Sequence, residues 1–268
     1  MLTANQIQAG VMMMDPTDLK KTLTTFLTNY DAMLSDKSSP MPRECYIMPL
    51  VSIVPNMGRV LICGFVWNGP ASNESRSWID RTAALAPLMP GSPEPHVAIQ
   101  PTTVQGFSAM IQGFLAPETQ GRLQSANLHK LSATSVSILA DAAEAIPLDS
   151  VAGALNIHTL RADSPSCSGD VPDSVCPYRE PHIMIELIGV GVDAESGAKA
   201  SEWAVKYRDE LVRGGDASEK TYAALTDPRI ADVRKMYGDK LDELMELKQR
   251  YDPDWVFANA VPKLPKPK

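Results

Sequence analysis

The sequence predicts an α+β fold: one mainly antiparallel sheet with amphipathic helices covering one of its faces. Three observations lead there. Two apolar, strand-like runs at 44–53 and 59–67 are joined by Pro55-Asn56-Met57-Gly58, a turn-forming connection that brings the chain back antiparallel. Leu19, Leu23, Phe26, Leu27, Tyr30 and Leu34 recur at helical spacing, and a helix with one apolar stripe needs a sheet or another helix to cover it. From His182 to Val190 the residues suit a strand whose successive side chains point to opposite faces. His182, Met184, Glu186 and Ile188 then share one face, and Ile183, Ile185 and Leu187 share the other, which is assigned to the helices.

The elements follow in chain order. Residues 5–14 hold Ile7, Val11 and Met12 to Met14 and fit a strand. Asp15-Pro16-Thr17-Asp18 reads as a helix start, with an N-cap acid and Pro at the first helical position, so a helix is expected over 16–34. After the hairpin comes a helix at 73–86, stopped by the Pro/Gly-rich stretch Pro87 to Pro95. His96 to Gln100 is a candidate strand, and Thr102 to Phe114 has no decisive periodicity. Ser132 caps a helix over 133–145 that ends before Pro147. A strand at 151–161 and a polar loop at 162–180 precede the His182 strand. A helix at 195–213 stops at Gly214-Gly215. The last helix, 229–250, is expected to break near Gly238-Asp239 and to end at Asp252-Pro253, with 254–261 extended.

Composition narrows the partners. The net charge of −7 repels nucleic-acid backbones and anionic membranes, so neither is an expected partner. Met1 to Gly10 has no basic n-region followed by an apolar run, and no stretch reaches the roughly 20 apolar residues that span a bilayer. A cytoplasmic location is the default expectation. The cysteines Cys45, Cys63, Cys167 and Cys176 show no metal-ligand spacing, and the four histidines are scattered, so no metal site is expected. Cys167 and Cys176 bracket a polar loop and would form a disulfide only with suitable geometry in an oxidising compartment.

The segment Val233-Arg234-Lys235-Met236-Tyr237-Gly238-Asp239-Lys240-Leu241, continued by Leu244, Leu247-Lys248, Tyr251-Asp252-Pro253 and Val256-Phe257, resembles the closing segment of berberine-bridge-type FAD-linked oxidases. That family shows a Tyr-Gly, a Leu-rich helix with Lys, then Tyr-Asp-Pro-x-x-Val-Phe. Upstream, Gln124-Ser125 with Leu128 and Leu131-Ser132 resembles the family's Ser-x-x-Leu-x-x-Leu-Ser lead-in to a helix. Pro181-His182 resembles its Pro-His-Arg strand start, with Ile183 in place of the Arg. Arg161-Ala162 stands where relatives often have paired glycines. The resemblance implies a substrate-binding-type domain over 1–227, a berberine-bridge-like segment over 228–262 packed on it, and a disordered tail at 263–268.

The resemblance also implies FAD as cofactor, yet the Gly-rich diphosphate loop of full-length relatives has no counterpart in the sequence. Gly189, Gly191 and Gly197 match no dinucleotide fingerprint. The chain is therefore expected to lack its own flavin-binding half, with FAD supplied by a separate chain or not used at all. Its bare apolar face implies a homodimer or such a partner.

Within this frame Glu186 is the leading catalytic candidate. A carboxylate between apolar neighbours on a sheet face is disfavoured in its ionised form, which suits a general base or acid. His158 and Asn156 alternate together on the 151–161 strand, and Tyr46 lies on the 44–53 strand. His158 and Tyr46 join Glu186 as catalytic candidates; His182, Met184 and Asn156 are the substrate-binding ones. The substrate expected is a small, largely apolar metabolite of secondary-metabolite type. The alternatives are a cofactor-free cyclase or isomerase on the same pocket and a non-catalytic binding or scaffold protein.

Overall fold

The computed structural model describes residues 6–112, 118–150, 153–164, 167, 179–218, 220–226, 231–259 and 263–266. Strand β1 (Ile7–Met13) leads to helix α1 (Leu19–Ser35). That helix starts later than Asp15-Pro16 suggests. Asp15 instead closes a small turn on Thr17, and Asp18 is the N-cap, accepting from Lys21 N at 3.0 Å. The hairpin is as expected: β2 (Cys45–Val54) and β3 (Gly58–Trp67) pair antiparallel along their whole length. Asn56 and Gly58 take positive φ in the turn between them.

Helix α2 (Asn73–Ala83) begins in a capping box at Ser72, where two serines bond reciprocally. The strand expected at 96–100 is corrected: Pro95–Ala98 is a short helix, α3, and the strand β4 is Ile99–Thr102. Pro95 at the first helical position favours that turn. The undecided stretch from Thr102 contains helix α4 (Val104–Gln112), which buries no side chain.

Strand β5 (Gln120–Leu128) fills a stretch to which the sequence assigns no element, and it leads into the expected helix. The helix itself, α5 (Ala133–Glu144), starts where Ser132 accepts from Ser135 N. Then come β6 (Ala154–Leu160), β7 (His182–Gly191) and α6 (Ala194–Arg213), the last with its own capping box at Asp193 and Ser196. The final helix breaks at Gly238 (φ 52°) into α7 (Val233–Tyr237) and α8 (Lys240–Tyr251). Cys176 lies outside the described residues, and with it the Cys167–Cys176 pairing. Among the described residues no helix is long and apolar enough to cross a membrane.

All seven strands form one sheet in the order β4-β1-β3-β2-β6-β7-β5, and every pairing is antiparallel. Its helix-covered face carries Ile47, Val51, Leu61, Cys63, Phe65, Leu155, Ile157, Ile183, Ile185 and Leu187, all buried. They meet Leu23, Phe26, Leu27 and Tyr30 of α1, Leu139 of α5, and Trp203 and Tyr207 of α6 in one core. Full burial of a Leu or Phe side chain contributes about 1.5–3 kcal/mol, so this face supplies most of the fold's cohesion. The opposite face carries Tyr46, Met48, Leu50, Asn156, His158, Met184, Glu186 and Ile188, none of them fully buried. It is the face that carries the polar and ionisable candidates.

Candidate active site

Register puts the candidates side by side. Asn156 of β6 faces Glu186 of β7, His158 faces Met184, and Leu50 of β2 faces Asn156. Since period-two alternation holds through all three strands, these side chains rise from the same face.

They form a connected chain. Asn156 Nδ2 donates to Glu186 Oε2 at 2.7 Å, and His158 Nε2 lies 3.4 Å from the same oxygen. On its other side His158 Nδ1 is 3.0 Å from Tyr46 Oη. No other hydrogen bond reaches Glu186 among the described residues, so its Oε1 has no partner there. Arg161, just past the end of β6, turns to the carbonyls of Met41 and Pro42 at 2.7 and 2.9 Å and to Asp163.

The electrostatics correct one expectation. Burial does act to raise the Glu186 carboxyl and is the largest single influence. The hydrogen bonds from His158 and Asn156, with the imidazole's charge, outweigh it and hold the group below its ordinary value. Glu186 is thus a carboxylate at neutral pH, a ready proton acceptor and not a stored acid. Tyr46 goes the other way: desolvation, reinforced by the negative charge of Glu186, pushes its phenol up to about 12. A protonated phenol at one end and a carboxylate at the other give the chain a direction. With a neutral imidazole the geometry fits Tyr46 O–H donating to His158 Nδ1 and His158 Nε2–H donating to Glu186.

The two remaining candidates sit at the edge of this chain. Met184 lies between His158 and Asn127 in register, and His182 lies opposite Leu160 with Nδ1 2.7 Å from Glu180 O. Ser125 and Asn127 of β5 are neighbours that sequence reasoning missed. They stand opposite Glu186 and Met184, 3% and 2% exposed, and Ser125 Oγ and Asn127 Oδ1 have no hydrogen-bond partner. Small polar residues at alternate positions, Ser125 and Asn127, were the available signal, legible only once 120–128 is a strand.

Whether this chain can hold FAD is tested by its glycines. A Cβ on Gly189 would stand 2.5 Å from Ala200 O, 2.7 Å from Ala204 Cβ and 2.8 Å from Arg122 O. One on Gly197 would stand 2.5 Å from Gln120 O, and one on Gly191 would collide with Ser196. These glycines let α6 lie against β7 and β5. They are not a set of free amides converging on a diphosphate, so they do not fit that role. Among the described residues no group of three or more His, Cys, Asp or Glu could hold a metal ion.

Known proteins share this fold and part of this sequence. Residues 221–262 match the family described as berberine and berberine like. The FAD-linked oxidoreductase aurO of Gibberella zeae is 22% identical over 196 residues, covering 72% of this chain and 36% of that protein. BBE-like #28 from Arabidopsis thaliana superposes with a TM-score of 0.73 at 11% identity, over 98% of this chain and 57% of its own. The 6-hydroxy-D-nicotine oxidase of Arthrobacter nicotinovorans gives 0.65 at 16%, over 93% and 53%. The chain thus spans about half the length of the solved structures it matches and 36% of the curated relative.

The fold is that of a part of the FAD-linked oxidases, an α+β domain built on an antiparallel sheet. Within that class the resemblance is to the berberine-bridge type, whose family segment this chain carries at 221–262.

Proposed function

We propose that the open sheet face is the substrate wall of a berberine-bridge-type FAD-linked oxidoreductase, with Glu186 as its general base. The observation that carries this reading is the Tyr46–His158–Glu186–Asn156 chain, which ends in a carboxylate with an unpartnered Oε1. Asn156 and His158 hold Oε2 and so fix the carboxylate plane, leaving Oε1 to take a proton from a bound substrate. His158 Nε2–H goes on holding Oε2 of the newly neutral acid, and the proton on Oε1 leaves from the open side of the sheet on which it was taken up.

Met48, Leu50, Met184 and Ile188 surround the polar chain on the same face, which suits a small, largely apolar substrate with one ionisable group. FAD enters through the family likeness alone. The glycines that could be mistaken for its cradle are used in helix packing, so its diphosphate would be held by residues beyond those described or by a companion chain. An exposed turn bearing Tyr251, Val256 and Phe257, each about three-quarters exposed, offers apolar surface for such a companion.

The test is a flavin spectrum followed by turnover. The chain alone should purify colourless, and co-expression with a flavin-binding half should give yellow protein. In that assembly Glu186→Gln should cut kcat by about 10²–10⁴ with little change in fold. Colourless protein that converts a substrate would reject the redox reading, and full activity in Glu186→Gln would remove the base.

A further inference from the structure

Between β2 and β6 the ladder is short, covering only Leu50–Ser52 and Ala154–Asn156. Pairing stops beside Pro49, which has no amide hydrogen to donate. Past that point β2 carries Ile47 and Tyr46, and β6 carries His158 and Thr159, with no ladder pair joining them.

Two side-chain links span this seam from opposite faces. On the open face Tyr46 meets His158. On the helix face the phenol of Tyr30, from α1, donates to Ile47 O at 3.3 Å and shares a hydrogen bond with Thr159 Oγ1 at 3.1 Å. Tyr30 is 1% exposed and tilts its ring on Phe26 at 6.0 Å, so a phenylalanine there would bury as much apolar surface without a polar group to satisfy. The hydroxyl is placed where the two strands lack backbone partners. Ile47 and Thr159 are the chain neighbours of Tyr46 and His158, so whatever fixes the separation of the first pair fixes that of the second.

We propose that Tyr30 is a positioning residue for the acid–base chain: its buried hydroxyl holds β2 and β6 at the spacing that keeps His158 Nδ1 on Tyr46 and Nε2–H on Glu186. This deepens the role given to Glu186 and rests on it. The groups facing the imidazole are Tyr46 from β2 and Glu186 from β7; the Arg161 guanidinium, just past the end of β6, is engaged with Met41 O, Pro42 O and Asp163.

The experiment reads the His158 tautomer, which a purely structural hydroxyl would not move. In the ¹⁵N-labelled full chain, long-range imidazole spectra should show His158 as the Nε2–H form, with its signals assigned through His158→Gln. Tyr30→Phe keeps the ring and the fold by near-ultraviolet circular dichroism, and its tautomer ratio should change several-fold toward Nδ1–H. Thr159→Val should shift it the same way. Thr82→Val deletes another buried hydroxyl, bonded to Trp78 O at 2.7 Å in α2, and should leave His158 unchanged. An unaltered ratio in Tyr30→Phe and Thr159→Val overturns the proposal, as does an equal change in Thr82→Val. If Tyr30→Phe does not fold, Thr159→Val decides by the same criterion. Failure of the Glu186 role alone would look different: full turnover in Glu186→Gln, with the tautomer shift still present.

Discussion

Gly189→Ala separates a packing glycine from a phosphate-binding one, and the structure sets the size of the effect. The added methyl would meet two backbone oxygens and one methyl at 2.5–2.8 Å, none of them the end of a flexible side chain. Relief requires α6 to move off β7. Overpacking of this kind costs about 3 kcal/mol at the upper end of its usual range, and the lower entropy of the unfolded alanine chain offsets up to about 1, leaving about 2 kcal/mol net. Gly215→Ala is the control. Gly215 has φ 86° with nothing near its Cβ position, so only backbone strain of about 1–2 kcal/mol applies, less the same offset. Urea unfolding of both variants should find Gly189→Ala the less stable by about 1 kcal/mol or more. Equal stability would refute the packing argument. So would a Gly189→Ala protein that is as stable as wild type but binds a nucleotide diphosphate less well.

Three further outcomes are expected. Because Glu186 has a lowered pKa when folded, its bonds stabilise the protein fully above the ordinary carboxylate value, and that stabilisation is lost as pH falls through the folded value. Wild type should therefore exceed Glu186→Gln by about 1 kcal/mol at pH 7, and the gap should close in acid; a gap independent of pH contradicts the assignment. Tyr46→Phe should leave stability nearly unchanged, since the ring is 39% exposed, but should let the His158 tautomer equilibrate, as seen in the same imidazole spectra. Asp252→Asn should open the turn at 252–257, because the carboxylate pairs with Lys248 and accepts from Val256 N at 2.8 Å and Phe257 N at 3.1 Å. Faster proteolysis after Tyr251 or Phe257, with a changed Trp255 fluorescence, is the check, and an unchanged digestion pattern counts against it.

Much of the site was legible because alternation is a rigid rule. Once 151–161 and 182–190 are strands, Asn156, His158 and Glu186 can only rise from a face shared within each strand, and the hairpin turn places Tyr46. What the sequence does not carry is lateral order. Tyr46 and His158 are 112 residues apart, and nothing local says that β2 and β6 are neighbours. Strand β5 escaped because it buries Gln124, Ser125 and Asn127 where a pattern reader looks for aliphatic residues. Helix α4 spaces Val104, Phe107 and Ile111 helically, but it is short and Gly106 interrupts the pattern. The ionisation of Glu186 was misjudged in sign: burial follows from neighbours in sequence, but its two hydrogen-bond donors come from another strand. The berberine-like segment was the most readable part, because its identity rests on a contiguous run of residues.

The place of the acid–base chain in the sheet bears on how the molecule assembles. Strands β1 to β4 come from the first 102 residues and β5 to β7 from 120–191, and within the sheet these two groups join only across β2 and β6. Long-range closures occur within both groups as well as at the join: Ile7 pairs with Thr102, Gln120 with Gly191, and Leu50 with Asn156. Glu186, Asn156 and His158 all belong to the second group, and Tyr46 alone comes from the first. The Tyr46–His158 link exists only where the two groups have joined, so a probe of that contact reports the docking of β2 on β6.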